Sequence, residues 1–162
     1  MLTELGDALM GAGRFTEALD ALSLARHIDP FDYHRPRNLA SLHRRWAFAL
    51  PAAERPPHQE EADRWYRETV EAAPDFSALW AEWANLDAER GRMGAAFSKL
   101  EHSAALGMTE ETENVSDAIL HAMGKAIDTA SDEQNVSAAL KQLGYPALAA
   151  FYASRAPKTA TR

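Results

Sequence analysis

The chain of 162 residues contains no cysteine, and that one absence removes three kinds of chemistry. No disulfide framework can staple the fold, no thiolate can ligate zinc, and no cysteine can serve as a nucleophile. Long apolar runs are missing as well. No stretch approaches the roughly 20 consecutive apolar residues that a membrane-spanning helix needs, and the first residues lack the charged-then-apolar pattern of a secretion signal. The chain as given is therefore expected to be soluble, with no membrane insertion of its own and with its compartment left open. Positive charge is in deficit, since 17 Lys and Arg stand against 24 Asp and Glu for a net charge of -7 and an isoelectric point near 5.3. Such a surface has little with which to displace counterions from phosphates, so nucleic acid is not an expected partner.

Catalytic signatures are lacking too. There is no GxSxG, no HExxH, no phosphate-cradling loop and no dinucleotide fingerprint. The three glycines between Gly6 and Gly13 are not followed by Lys and Ser or Thr, as a phosphate loop would require. The six histidines are scattered, with no two of them four apart on one helix face, and Asp87 and Glu89 are two apart and so point different ways. The expectation is a protein with no catalytic residues, no cofactor and no metal site.

What the sequence does contain is helical periodicity. Hydrophobic residues make up 46% and charged residues 25%, the balance of an ordinary globular domain rather than a disordered chain. One pattern occurs three times: Ala18, Leu22, Ala25, Pro30; Ala62, Tyr66, Thr69, Pro74; and Ala96, Leu100, Ser103, Met108, each at offsets of four, seven and twelve. Small residues at the first and third positions let two antiparallel helices approach closely, and the bulky residue between them fills the space they leave. A proline at the end cannot continue the helix and turns the chain into the next unit. Each preceding helix carries a large residue followed by a small one, at Leu5-Gly6, Leu39-Ala40 and Trp83-Ala84. The first two of these pairs are 34 residues apart and the next two 44, so an insertion of ten lies inside the second unit. With its three prolines, the segment from Leu50 to His58 is expected to be that insertion, as an irregular loop.

The expected helices run from about Leu2 to Ala12, Thr16 to Ile28, Pro36 to Leu50, Gln59 to Ala73, Ser77 to Arg90 with Asp75 as N-cap, and Met93 to Leu106. Leu19, Leu22 and Ile28 should be buried on the second of them. Thr109 should cap a further helix buried through Val115, Ile119, Leu120, Met123 and Ile127. A Ser131–Gln134 capping box should start another, buried through Val136, Leu140 and Leu143 and closed by Gly144. Pro146 should open a last one containing Leu148, Phe151 and Tyr152. Residues Ala156 to Arg162 read as a flexible tail.

The large-small pair, the Ala, the bulky residue, the small residue and the Pro at this spacing resemble tetratricopeptide repeats. The third unit matches best, with Trp80 at the aromatic position of its first helix, Gly91 at the turn, and Ala96, Leu100 and Ser103 in its second. It departs in carrying Met108 in place of Pro, and the second unit has Pro36 where an aromatic residue is usual. The resemblance covers residues 1–108, with the first unit truncated at Met1, and implies an all-α fold: an α-solenoid of antiparallel helix pairs, with residues 109–155 as a helical cap. A second resemblance lies inside it. DYHRPRNLASLHRRWA with ALWAEWANLDAERG is similar to repeats behind the membrane-spanning part of bacterial O-antigen-ligase-like proteins.

In the repeat family the first helix of each pair lines a concave binding groove. That resemblance maps the groove onto His34, Arg37, Ser41, Arg44 and Arg45 of the second unit and onto Asn85 and Glu89 of the third. Guanidinium groups offer forked donors to carboxylates, so the expected partner is a protein or peptide with acidic groups or a free carboxyl terminus. The family's clamp for terminal carboxylates uses Lys and Asn where this chain has Thr3 and Asp7, so that clamp is not expected. The implied function is a non-catalytic binding scaffold. The alternatives are the soluble tail of an O-antigen-ligase-like membrane protein acting in cell-envelope glycan assembly, or a structural subunit that oligomerises. Oligomeric state stays open.

Overall fold

The computed structural model of the chain describes residues 1–122 and 130–155. Met123, Ile127, the side chain of Ser131 and the tail from Ala156 lie outside the described residues. The described chain is helical throughout, with no strand. Its helices are α1 (Leu2–Gly11), α2 (Phe15–Ile28), α3 (His34–Ala49), α4 (Arg55–Ala72), α5 (Ser77–Glu89), α6 (Met93–Leu106), α7 (Glu110–Ala122), α8 (Ala130–Gln142) and α9 (Pro146–Arg155). None among the described residues is long and apolar enough to cross a membrane. They form two compact units, Met1–Asp75 and Phe76–Arg162, each taken by itself below.

In the first unit α1 pairs with α2, α3 pairs with α4, and α2 packs on α3. The small residues carry the close approaches. A Cβ on Gly6 would lie 2.5 Å from Leu22 Cδ2 and 2.6 Å from its Cγ, so only glycine lets α1 seat against α2 there. Met10, Ala18, Leu22, Leu39 and Leu42 make the core, with Leu9, Phe15, Leu19 and Trp65 at its margin. Of the adjacent pair Trp65 and Tyr66, the tyrosine is buried. The Trp65 ring stays half-buried between the guanidiniums of Arg26 and Arg64, 5.0 and 4.3 Å from its centroid, and Arg26 also bonds Glu68 of α4.

Two expectations fail here for local reasons. Ile28 is 67% exposed rather than in the stripe. Gly6 faces Leu22, so the last turn of α2 runs past the start of α1 at Leu2, and Ile28 has no part of α1 to pack against. The stretch from Leu50 to His58 is mostly not a loop. Ala52–Glu54 form a short 3-10 turn, and α4 already begins at Arg55, four residues before the expected Gln59. Pro56 and Pro57 occupy its first turn, where a missing N–H costs nothing because those donors have no partner inside the helix. Arg55 Nε donates to the Leu50 carbonyl at 2.9 Å and ties the segment back.

In the second unit α5 pairs with α6, α7 packs on α5, α9 packs on α6, and α8 packs on α9. Residues on both sides of Met108 share one core: Ala81, Ala84, Ala96, Phe97 and Leu100 lie among Ile119, Leu120, Leu140, Leu148, Ala149 and Tyr152. Asp75 does not cap α5. Phe76 stands at that position without a side-chain bond, and Ser77 is instead buried against α6, its hydroxyl 2.9 Å from that of Ser103. Thr109 and Thr112 cap α7 reciprocally, the Thr109 N–H donating to Thr112 Oγ1 at 2.7 Å. The Glu101 carboxylate of α6 accepts from the N–H groups of Ala147 and Leu148, at 2.7 and 2.8 Å, capping α9 from a distance. Leu143, expected to be buried, is exposed at the end of α8.

The repeated positions share one environment. Ala18, Ala62 and Ala96 are buried, as are Leu22, Tyr66 and Leu100 and, at the third position, Ala25, Thr69 and Ser103. The turns agree as well. Gly13 and Gly91 both adopt positive φ, 73° and 72°. Each is followed by an arginine whose N–H bonds the carbonyl five residues back, Arg14 to Leu9 and Arg92 to Asp87, at 2.9 and 2.8 Å. That pairing closes a helix in a Schellman turn, which only glycine enters without strain.

Candidate functional site

At about 100° per residue, His34, Arg37, Ser41, Arg44 and Arg45 fall within one arc of α3, while Leu39, Ala40, Leu42 and Ala47 fall on the opposite, buried side. The sequence therefore brings these five together on one face of one helix. Their exposure differs. His34 and Arg45 are exposed, whereas Arg37, Ser41 and Arg44 are half-buried. Arg37 and Arg44 each already hold an interaction within the chain, so an incoming carboxylate would compete for them.

Phe48 belongs to the same arc, although the repeat pattern does not mark it. It is 75% exposed, four residues after Arg44 and seven after Ser41. The sequence does carry a signal for it: an aromatic residue at the period of the polar face rather than of the apolar one. Asn85 and Glu89 stand one turn apart on α5 of the second unit, the first half-buried and the second exposed, and Glu89 also holds an interaction.

His43 sits beside these residues in sequence but on the buried side of the helix. Its Nδ1 is 3.0 Å from the Nδ1 of His58, at the start of α4. His58 stacks on Trp46, centroids 4.2 Å apart, and Trp46 stacks on Phe15 of α2 at 5.6 Å. Burial first, and then the neighbouring His58, push the His43 imidazole down to about 4, with Glu61 pulling the other way and Arg64 adding to the fall. Burial lowers His58 too, against the pull of Glu61.

In the second unit the charged groups serve packing. Asp87 is fully buried and bonds both Arg92 and Lys99, and the Lys99 ammonium lies 4.1 Å from the Trp83 ring centroid. Trp80 packs on His102 at 4.1 Å and on Trp83 at 5.9 Å. The Tyr152 hydroxyl donates to Asp117 at 2.7 Å and lies 2.7 Å from the Ser116 hydroxyl, and burial raises it well above its ordinary value. Arg155 closes this cluster on Asp117 and Glu113, each at 3.0 Å. Among the described residues, no three His, Asp or Glu side chains are grouped to hold a metal ion. No protein-family model matches the chain, and no curated protein is significantly similar to it.

Proposed function

We propose that the chain is a non-catalytic scaffold of tetratricopeptide-like hairpins that binds a protein or peptide through the outward arc of α3. The observation that carries this reading is the composition of that arc. On a chain of net charge -7, one helix face gathers His34, Arg37, Ser41, Arg44 and Arg45 around an exposed Phe48. Arginine and aromatic side chains are the types that dominate binding energy at protein interfaces. The equivalent burial of the three repeated positions supports the hairpin assignment beside it. A partner suited to the arc carries carboxylates, with an apolar side chain about one turn away to cover Phe48.

The test uses two exposed members, Arg45 and Phe48, since Arg37 and Arg44 have partners to lose. A panel of acidic peptides with and without an apolar residue should show binding to the intact chain that weakens as salt is raised. Arg45→Glu and Phe48→Ser should each weaken that binding about tenfold with little change in melting temperature, because exposed side chains contribute little stability. Unchanged affinity in both variants would remove α3 as the contact surface.

A further inference from the structure

The His43–His58 contact has a geometry with only one proton inventory. The ring centroids are 5.3 Å apart with 28° between the planes, while the two Nδ1 atoms approach to 3.0 Å. The rings thus meet edge to edge, nitrogen facing nitrogen, rather than one above the other. A neutral imidazole offers one donor and one acceptor, so one ring must carry its proton on Nδ1 and the other on Nε2. One added proton enters at the free Nε2 of the donor ring and strengthens the bond, which becomes charge-assisted. A second added proton must take the accepting Nδ1, and then two N–H groups on two cations face each other.

We propose that the His43–His58 pair is a proton-gated latch, whose second added proton drives the rings apart and releases residues 50–60 from α3. Most of the segment lies at the surface. Ala52, Ala53 and Glu54 are exposed, as are Pro56 and Pro57, and the described bond holding the start of α4 to the preceding turn runs from Arg55 to Leu50. The charged groups acting on the pair come from α4: Glu61 favours protonation of both rings, and Arg64 opposes it at His43. From α2 the stack meets the ring of Phe15, through Trp46. His58 is the more exposed ring, so it takes the first proton and donates to His43. The sign follows from the proton count. His43 binds its proton less readily folded than free, so the opened form takes up more protons, and opening grows as pH falls from the ordinary 6.5 toward about 4.

The experiment is performed on the full chain. Ring-nitrogen magnetic resonance should show two separate protonation steps for His43 and His58 between about pH 7 and pH 3.5. Amide exchange, corrected for its intrinsic pH dependence, should rise about tenfold over residues 50–60 across the second step, while residues 93–106 stay protected. His58→Gln keeps a donor for His43 but cannot become a cation, so its exchange profile should be flat. The latch is overturned if both rings titrate together near 6.5, if wild-type exchange over residues 50–60 does not change, or if His58→Gln retains the transition. Should His58→Gln fail to fold, the wild-type ring titration decides by the same criterion of two steps against one.

Discussion

At the scale of single residues, the fold rests on places where a larger side chain has no room. Gly6 is the sharpest of them. Its flexibility is not what matters, since it sits in the middle of α1; the missing methyl is, because Leu22 occupies that space. Gly6→Ala should therefore destabilise the chain by about 1–3 kcal/mol, the usual cost of overpacking, and not stabilise it as Gly→Ala does in an open helix. Urea unfolding decides this, and a gain in stability would mean that α1 does not seat on α2 as described. Ala96→Leu belongs to the same class, with the same expected cost, in the second unit. These positions are legible in the amino-acid sequence, because the offsets of four and seven select small residues by their function in packing. Ile28 and Leu143 are not. Both keep the period of a buried face, but Ile28 lies where α2 runs past the start of α1 and Leu143 lies in the turn after α8, and periodicity says nothing about where the helices stop.

At the scale of elements, the helical segments are easier to read from sequence than the way their ends are held. The cluster of Pro51, Pro56 and Pro57 reads as a loop if proline only breaks helices, yet the last two stand in the first turn of α4, where proline is tolerated. The cap of α9 is out of reach of any local pattern. Glu101 lies 46 residues before Ala147, so no window along the sequence joins them. Its carboxylate satisfies two otherwise unpaired N–H groups and opposes the positive end of the helix dipole. Glu101→Ala should cost about 1–2 kcal/mol and should speed amide exchange in residues 146–155 while leaving residues 55–72 unchanged. Glu101→Gln, which keeps an acceptor but loses the charge, should fall between the two. If exchange in α9 does not respond to Glu101→Ala, the helix is held by Leu148 and Tyr152 alone. The α3 arc belongs to this scale too: its five polar members are legible from spacing, and Phe48 shares that spacing, but single exposed aromatics are common and the repeat pattern does not mark it.

At the scale of the whole chain, compactness and the repeat pattern divide the residues differently. The pattern groups residues 1–108 and sets the rest apart, but the compact units divide at Asp75 and Phe76. Shared apolar surface explains why. α7 and α9 bury Ile119, Leu120, Leu148 and Tyr152 against α5 and α6, so the third hairpin and the helices after it make one core. Among the described residues that core contains eleven buried residues, against five in the core cluster of the first unit. Hydrophobic burial scales with the area removed from water, and units of this size have little stability to spare. Two fragments, 1–75 and 76–162, should therefore differ when made separately. Both should give helical spectra, but 76–162 should unfold cooperatively at the higher temperature, and 1–75 should show the broader transition. The Glu101 and Arg155 contacts lie wholly inside 76–162, so Glu101→Ala should lower its melting temperature in the fragment as it does in the full chain. A fragment 76–162 without a cooperative transition would show that its eleven-residue core is not sufficient to fold, and the division at Asp75 would then mark a change in packing rather than two separable units.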